Sequence, residues 1–167
     1  MKSPIPRYLN LILDAVRETD GGEVADYIPA LAKVDPARLG VAICTTTGRC
    51  YQVGDNAPFS LQSISKPFTY ALALEESGFE AVSEIVGVEP SGDAFNELSL
   101  EADGRPMNPM INAGAIAVNQ LINGSGSSVS DRIEKILGFF SALAGRPLTI
   151  CLLYTSPRPR DATLSRM

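Results

Sequence analysis

The chain of 167 residues has no histidine and no tryptophan, and only three of its residues are cysteine. Without imidazole, a nucleophile must find another base, and zinc or haem sites lose their usual nitrogen ligand. Cys44, Cys50 and Cys151 are odd in number and show no C-x-x-C spacing, so no metal is expected. Cys44 and Cys50 could face each other across a hairpin. Reduced thiols in strands of a cytoplasmic protein are the simpler expectation. Long apolar runs are missing too: none approaches the roughly 20 residues of a membrane span, so no membrane partner is expected. Lys2 and Arg7 precede a short apolar stretch broken by Asn10 and Asp14, which does not read as a secretory signal. Basic residues are few, and the formal charge of −5 argues against a nucleic-acid surface. The exception is the last eleven residues, where Arg158, Arg160 and Arg166 gather.

What remains is a globular composition, 45% hydrophobic and 20% charged, of a length that suits one ordinary domain with a real core. Leu9, Ile12, Leu13 and Val16 fall at helical spacing over 8–17, and Gly21-Gly22 ends that helix. Pro29 and Pro36 make 23–36 an extended or irregular linker. The β-branched run 39–46, a Thr47-Gly48 turn and the return 49–53 predict a β-hairpin. A helix is predicted over 63–77 with Gly78 as its stop, and another over 113–122 with Asn112 at its N-cap. A third, over 131–144, is predicted to be capped by Ser130 and stopped by Gly145. Strands in a hairpin followed by several helices imply a mixed α/β (α+β) layer fold.

The chemistry concentrates at Ser63-Ile64-Ser65-Lys66. Residues three apart share a helix face, so the Lys66 amine can reach the Ser63 hydroxyl, and a serine with a lysine base is a known form of activated nucleophile. The composition alone would supply about 0.4 such spacings by chance, so context must decide. Pro67 gives that context, because proline is tolerated only where the backbone amide is unpaired, and this pins the helix start near Ser63. The Ser63 N–H is then open to an oxyanion, with the positive helix end beside it.

Three segments resemble the serine-dependent glutaminases in order and spacing: 59–66 (Phe-Ser-Leu-Gln-Ser-Ile-Ser-Lys), 88–96 (Val-Glu-Pro-Ser-Gly-Asp-Ala-Phe-Asn) and 108–116 (Asn-Pro-Met-Ile-Asn-Ala-Gly-Ala-Ile). Tyr27-Ile28-Pro29-Ala30-Leu31 matches an upstream family segment. The resemblance implies a fold like that of serine β-lactamases and penicillin-binding proteins, built on an antiparallel sheet with helices. It implies hydrolysis of L-glutamine to L-glutamate and ammonia in a homo-oligomer; no cofactor is expected, and the lack of a signal-like N-terminus makes a cytoplasmic protein the default expectation. Ser63 would be the nucleophile and contact substrate, and Lys66 would take or relay its proton. Asn112 would bind substrate and Tyr27 would line the glutamine pocket. Asn112 as a mere cap, Tyr27 as mere packing and Asn108 as a loop-orienting residue are the structural alternatives.

The resemblance runs over about residues 8–150, so 1–150 is expected to be the N-terminal part of a glutaminase domain. Residues 151–167 do not fit and are expected to be a disordered or artefactual tail. By the same resemblance, further substrate residues and a second oxyanion donor would lie beyond Ile150; Tyr154 and Asp161 do not match them. The chain alone is therefore expected to be inactive. A penicillin-recognising hydrolase is the rival enzyme class, but Ser130-Asp131-Arg132 misses the Ser-Asp-Asn element and no Lys-Thr-Gly is present. A non-catalytic interaction fragment is the rival outside enzymology.

Overall fold

A computed structural model describes residues 3–94 and 97–150. Phe95 and Asn96 of the second motif lie outside the described residues, as does the predicted tail 151–167 with Cys151, Tyr154 and the arginines. The described chain falls into two compact units, one reaching Phe59 and the other spanning Ser60–Ile150.

The first unit holds helix α1 (Ile5–Val16) and the hairpin β1 (Gly40–Cys44) with β2 (Cys50–Gly54). Pro6 sits in the first turn of α1, where its missing N–H costs nothing. Leu9 and Leu13, one turn apart, are the buried face of this helix. Antiparallel pairing runs from Gly40↔Gly54 to Cys44↔Cys50. At the open end, a Cβ on Gly54 (φ +77°) would fall 2.4 Å from the Leu39 carbonyl oxygen, so only glycine fits. At the turn end the two sulfurs of Cys44 and Cys50 are bonded, which corrects the expectation of free thiols. The reason is register: the two residues stand directly opposite, with Cα atoms 4.1 Å apart, the close spacing of a pair without ladder hydrogen bonds. Of the stretch expected to be extended or irregular, residues 26–34 form turns and bends around buried Ile28.

The second unit is helical. A single 3-10 turn (Gln62–Ile64) leads into α2 (Ser65–Ser83), followed by α3 (Asn112–Asn119) and α4 (Val129–Ala144). Leu72, Ala73, Val82, Val86, Val118 and Ile122 form its core, with Ile136 and Phe139 of α4 packed against them. Phe68 meets Phe140 edge-on, with ring centroids 5.9 Å apart.

Three capping or stop residues act otherwise than expected. Gly78 breaks α2 at φ +79° but does not end it; the chain coils again through Ser83, and this brings Val82 into the core. The N-cap of α3 is Ile111 in extended conformation, so Asn112 is the first helical residue. The cap of α4 is Ser128 and not Ser130, because Asp131 three residues later completes a capping box with it. The αL cap at Gly145 is as predicted. The α+β class with an antiparallel hairpin and helices is the fold expected from the sequence.

Candidate active site

Ser63 lies in the 3-10 turn and Lys66 in the first turn of α2, where Pro67 is harmless because opening amides have no intrahelical acceptor. Both line a cavity of about 290 Å³ with Gln62, Thr69, Asn112 and Ile116. The Lys66 Nζ donates to Asn112 Oδ1 at 2.7 Å and to the Met110 carbonyl at 2.9 Å. Burial pushes the Lys66 amine below the usual lysine range, since a charged ammonium loses hydration there. The structure thus gathers Ser63, Lys66 and Asn112 around one cavity. Tyr27 belongs to the first unit, on an exposed turn, and the cavity lining comes from the second.

Two contributors were invisible to residue-type reasoning. One is the Met110 carbonyl, a backbone group that any residue would offer. The other is Gln62, whose backbone sits at φ +45°, a left-handed conformation uncommon for a residue with a side chain. Ser65, beside the pair, donates its hydroxyl to the Gln62 carbonyl at 2.6 Å and so braces that turn. Thr69 and Asn119, also on the lining, spend their hydrogen bonds on the helix backbone one turn earlier. Asp131, the acid of the failed Ser-Asp-Asn element, is occupied in the α4 capping box.

Among the described residues no cluster of acids and cysteines could hold a metal, and no helix is long and apolar enough to cross a membrane. A serine, an amine of depressed basicity and an amide around one cavity can carry out acyl transfer.

Known proteins agree with the motifs. The family profile described as Glutaminase matches residues 22–158. A glutaminase of Corynebacterium glutamicum is 65% identical over 148 residues, which is 88% of this chain and 36% of that protein. A glutaminase of Microcystis aeruginosa is 46% identical, covering 86% of this chain and 42% of the relative. The crystal structure of Mglu in its native form superposes with a TM-score of 0.83 at 51% identity, over 90% of this chain and 37% of that one. A probable glutaminase, ybaS, does so with a TM-score of 0.79 at 39% identity, over 86% of this chain and 47% of that one. The chain therefore spans between a third and a half of the length of these relatives. It belongs to the glutaminase family.

Proposed function

We propose that this chain carries the attacking half of a glutamine amidohydrolase site. The observation that carries the reading is the convergence on Lys66: it shares the cavity with Ser63 and donates to Asn112, 46 residues away in sequence. A solved relative, Mglu, exists in a glutamate form, which supports L-glutamine and L-glutamate as the ligand class.

In this reading Lys66 works as a neutral amine. It donates to Met110 O and Asn112 Oδ1, and as a neutral amine its lone pair takes the Ser63 proton. Depressed basicity favours that form. The Ser63 oxygen attacks the side-chain carboxamide carbon of glutamine, ammonia leaves with the transferred proton, and a γ-glutamyl ester remains on Ser63. Water then hydrolyses the ester, with Lys66 taking its proton in turn. The Ser63 N–H, early in the 3-10 turn, serves as one oxyanion donor. Asn112 divides its amide between Lys66, through Oδ1, and substrate, through Nδ2.

A cytoplasmic location and a homo-oligomeric assembly belong to the same proposal. Exposed apolar side chains such as Ile116, Val129 and Leu143 on α3 and α4 support association. The test is ammonia release from glutamine by this chain and by its Ser63→Ala variant. Release that survives the substitution would overturn the assignment of the nucleophile.

A further inference from the structure

Asn112 and the Met110 carbonyl can serve Lys66 only if the loop before α3 keeps one shape. Burial along it alternates: Pro109 and Ile111 are buried, whereas Met110 and Asn112 are exposed. The side chain of Asn108 spans the start of this loop. Its Oδ1 accepts from the Met110 N–H at 3.0 Å and the Ile111 N–H at 3.2 Å, and its Nδ2 donates to the Glu89 carbonyl at 2.9 Å. Glu89 is itself held, its N–H bonded to the Met107 carbonyl at 3.1 Å, beside a second bond from Gly87 N–H to Pro106. On the other side, a Cβ on Gly114 would fall 1.9 Å from the Asn108 carbonyl oxygen, so α3 rests against the same residue.

We propose that Asn108 is the positioning residue of this site, tying the loop that presents Met110 O and Asn112 Oδ1 to the fixed strip at Glu89. The inference rests on the reading of Lys66 as the base and deepens it. Only a short primary amide does both jobs. Aspartate would accept from the same two N–H groups but turn a second oxygen toward the Glu89 carbonyl. Serine can accept from the Met110 N–H but cannot reach Glu89. Alanine does neither. Asn108 is absent from the cavity lining, so its effect passes through Lys66 and Asn112.

The experiment is a carbon-detected NMR titration of Lys66 Cε in chain labelled at lysine, where only four lysines contribute and Lys66→Arg assigns the signal. In the parent chain Lys66 titrates below the ordinary lysine range. In Asn108→Ala the loop loosens, water reaches the amine and the midpoint moves up toward that range. Asn108→Ser, which keeps one acceptor, moves it less. Val82→Ala, a core truncation away from the loop, leaves it in place. An unchanged midpoint in Asn108→Ala, or an equal shift in Val82→Ala, would overturn the positioning role. If Asn108→Ala does not fold, Asn108→Ser against Val82→Ala decides by the same criterion. The readout requires no turnover, so it is separate from Ser63 chemistry. A parent Lys66 in the ordinary range would overturn the functional reading together with this one.

Discussion

Lys66 and Asn112 meet at 2.7 Å, amine to amide oxygen, each in the first turn of its own helix. One short contact thus joins the opening of α2 to the opening of α3. Because the amide is neutral, it orients the amine without fixing its charge.

A charge at position 112 should undo this balance. In Asn112→Asp the carboxylate faces Lys66 at hydrogen-bond distance and favours the ammonium, so the Lys66 midpoint rises. A protonated lysine cannot take the Ser63 proton. In a full-length relative carrying the same change, kcat at neutral pH should fall by about tenfold or more, with partial recovery as pH rises. A pH–rate profile that keeps its position would count against Lys66 as the base.

Gly114→Ala should be far more harmful than a glycine-to-alanine change within a helix ordinarily is. Intrinsic propensity favours alanine by roughly 1 kcal/mol, yet its Cβ would sit 1.9 Å from backbone at Asn108. Backbone cannot swing away as a side chain can. We expect a loss of about 2 kcal/mol or more in urea unfolding, in line with overpacked cores. A neutral or stabilising effect would show that the loop yields freely.

Glu76 supplies a pH-dependent tie. Burial works against its charge, but the Lys135 ammonium at 2.8 Å and the Asn123 N–H at 2.8 Å prevail and lower its pKa below the ordinary glutamate value. A lowered folded-state pKa means the contribution is present above the unfolded value, near 4.5, and fades as pH falls through the folded one. Lys135 is nearly half exposed, so screening keeps the effect small. Glu76→Gln should cost about 0.5–1 kcal/mol at pH 7, and the gap from the parent should close at pH 3. A gap that persists there would assign the loss to packing.

Reduction of Cys44–Cys50 offers a test confined to the first unit. The bridge closes a segment of sequence separation 6, for which chain entropy suggests a contribution of about 2 kcal/mol. The same turn is already held by the Thr45 N–H to the Arg49 carbonyl and by the Thr45 hydroxyl accepting from the Arg49 N–H. Dithiothreitol should therefore lower the denaturant midpoint of α1 and the hairpin without unfolding them, as read by hydrogen exchange at β1 and β2. Full exchange on reduction would show that the hydrogen bonds are too weak to hold the hairpin.

Much of this architecture was legible in the residues. Helical spacing in α1, the Thr47-Gly48 turn, Pro67 near the opening of α2 and Gly145 after α4 are local signals, and local physics decided them. The misses share a cause. Gly78 reads as a stop because of its backbone, but the tertiary burial of Val82 and Val86 restarts the helix. Asn112 has the chemistry of a cap, yet a lysine 46 positions upstream claims its oxygen. Ser130 and Ser128 are both good caps, and the acid three residues on selects Ser128. Cys44 and Cys50 can face each other in the hairpin as read from the sequence, but the preference for reduced thiols rests on an assumed compartment, and the bonded sulfurs overturn it. Ser63, Lys66 and Asn112 were singled out by motif, whereas the Met110 carbonyl could only come from geometry.

The left-handed backbone at Gln62 has a practical consequence for anyone seeking a hardier protein. Glycine would relax φ +45° and should raise the melting temperature, since strain of this kind costs on the order of 1 kcal/mol. The same change strips an amide from the cavity beside Ser63. Selection for heat resistance alone would therefore favour loss of that amide, and variants at this position need to be ranked by glutamine turnover in a full-length relative before they are ranked by stability.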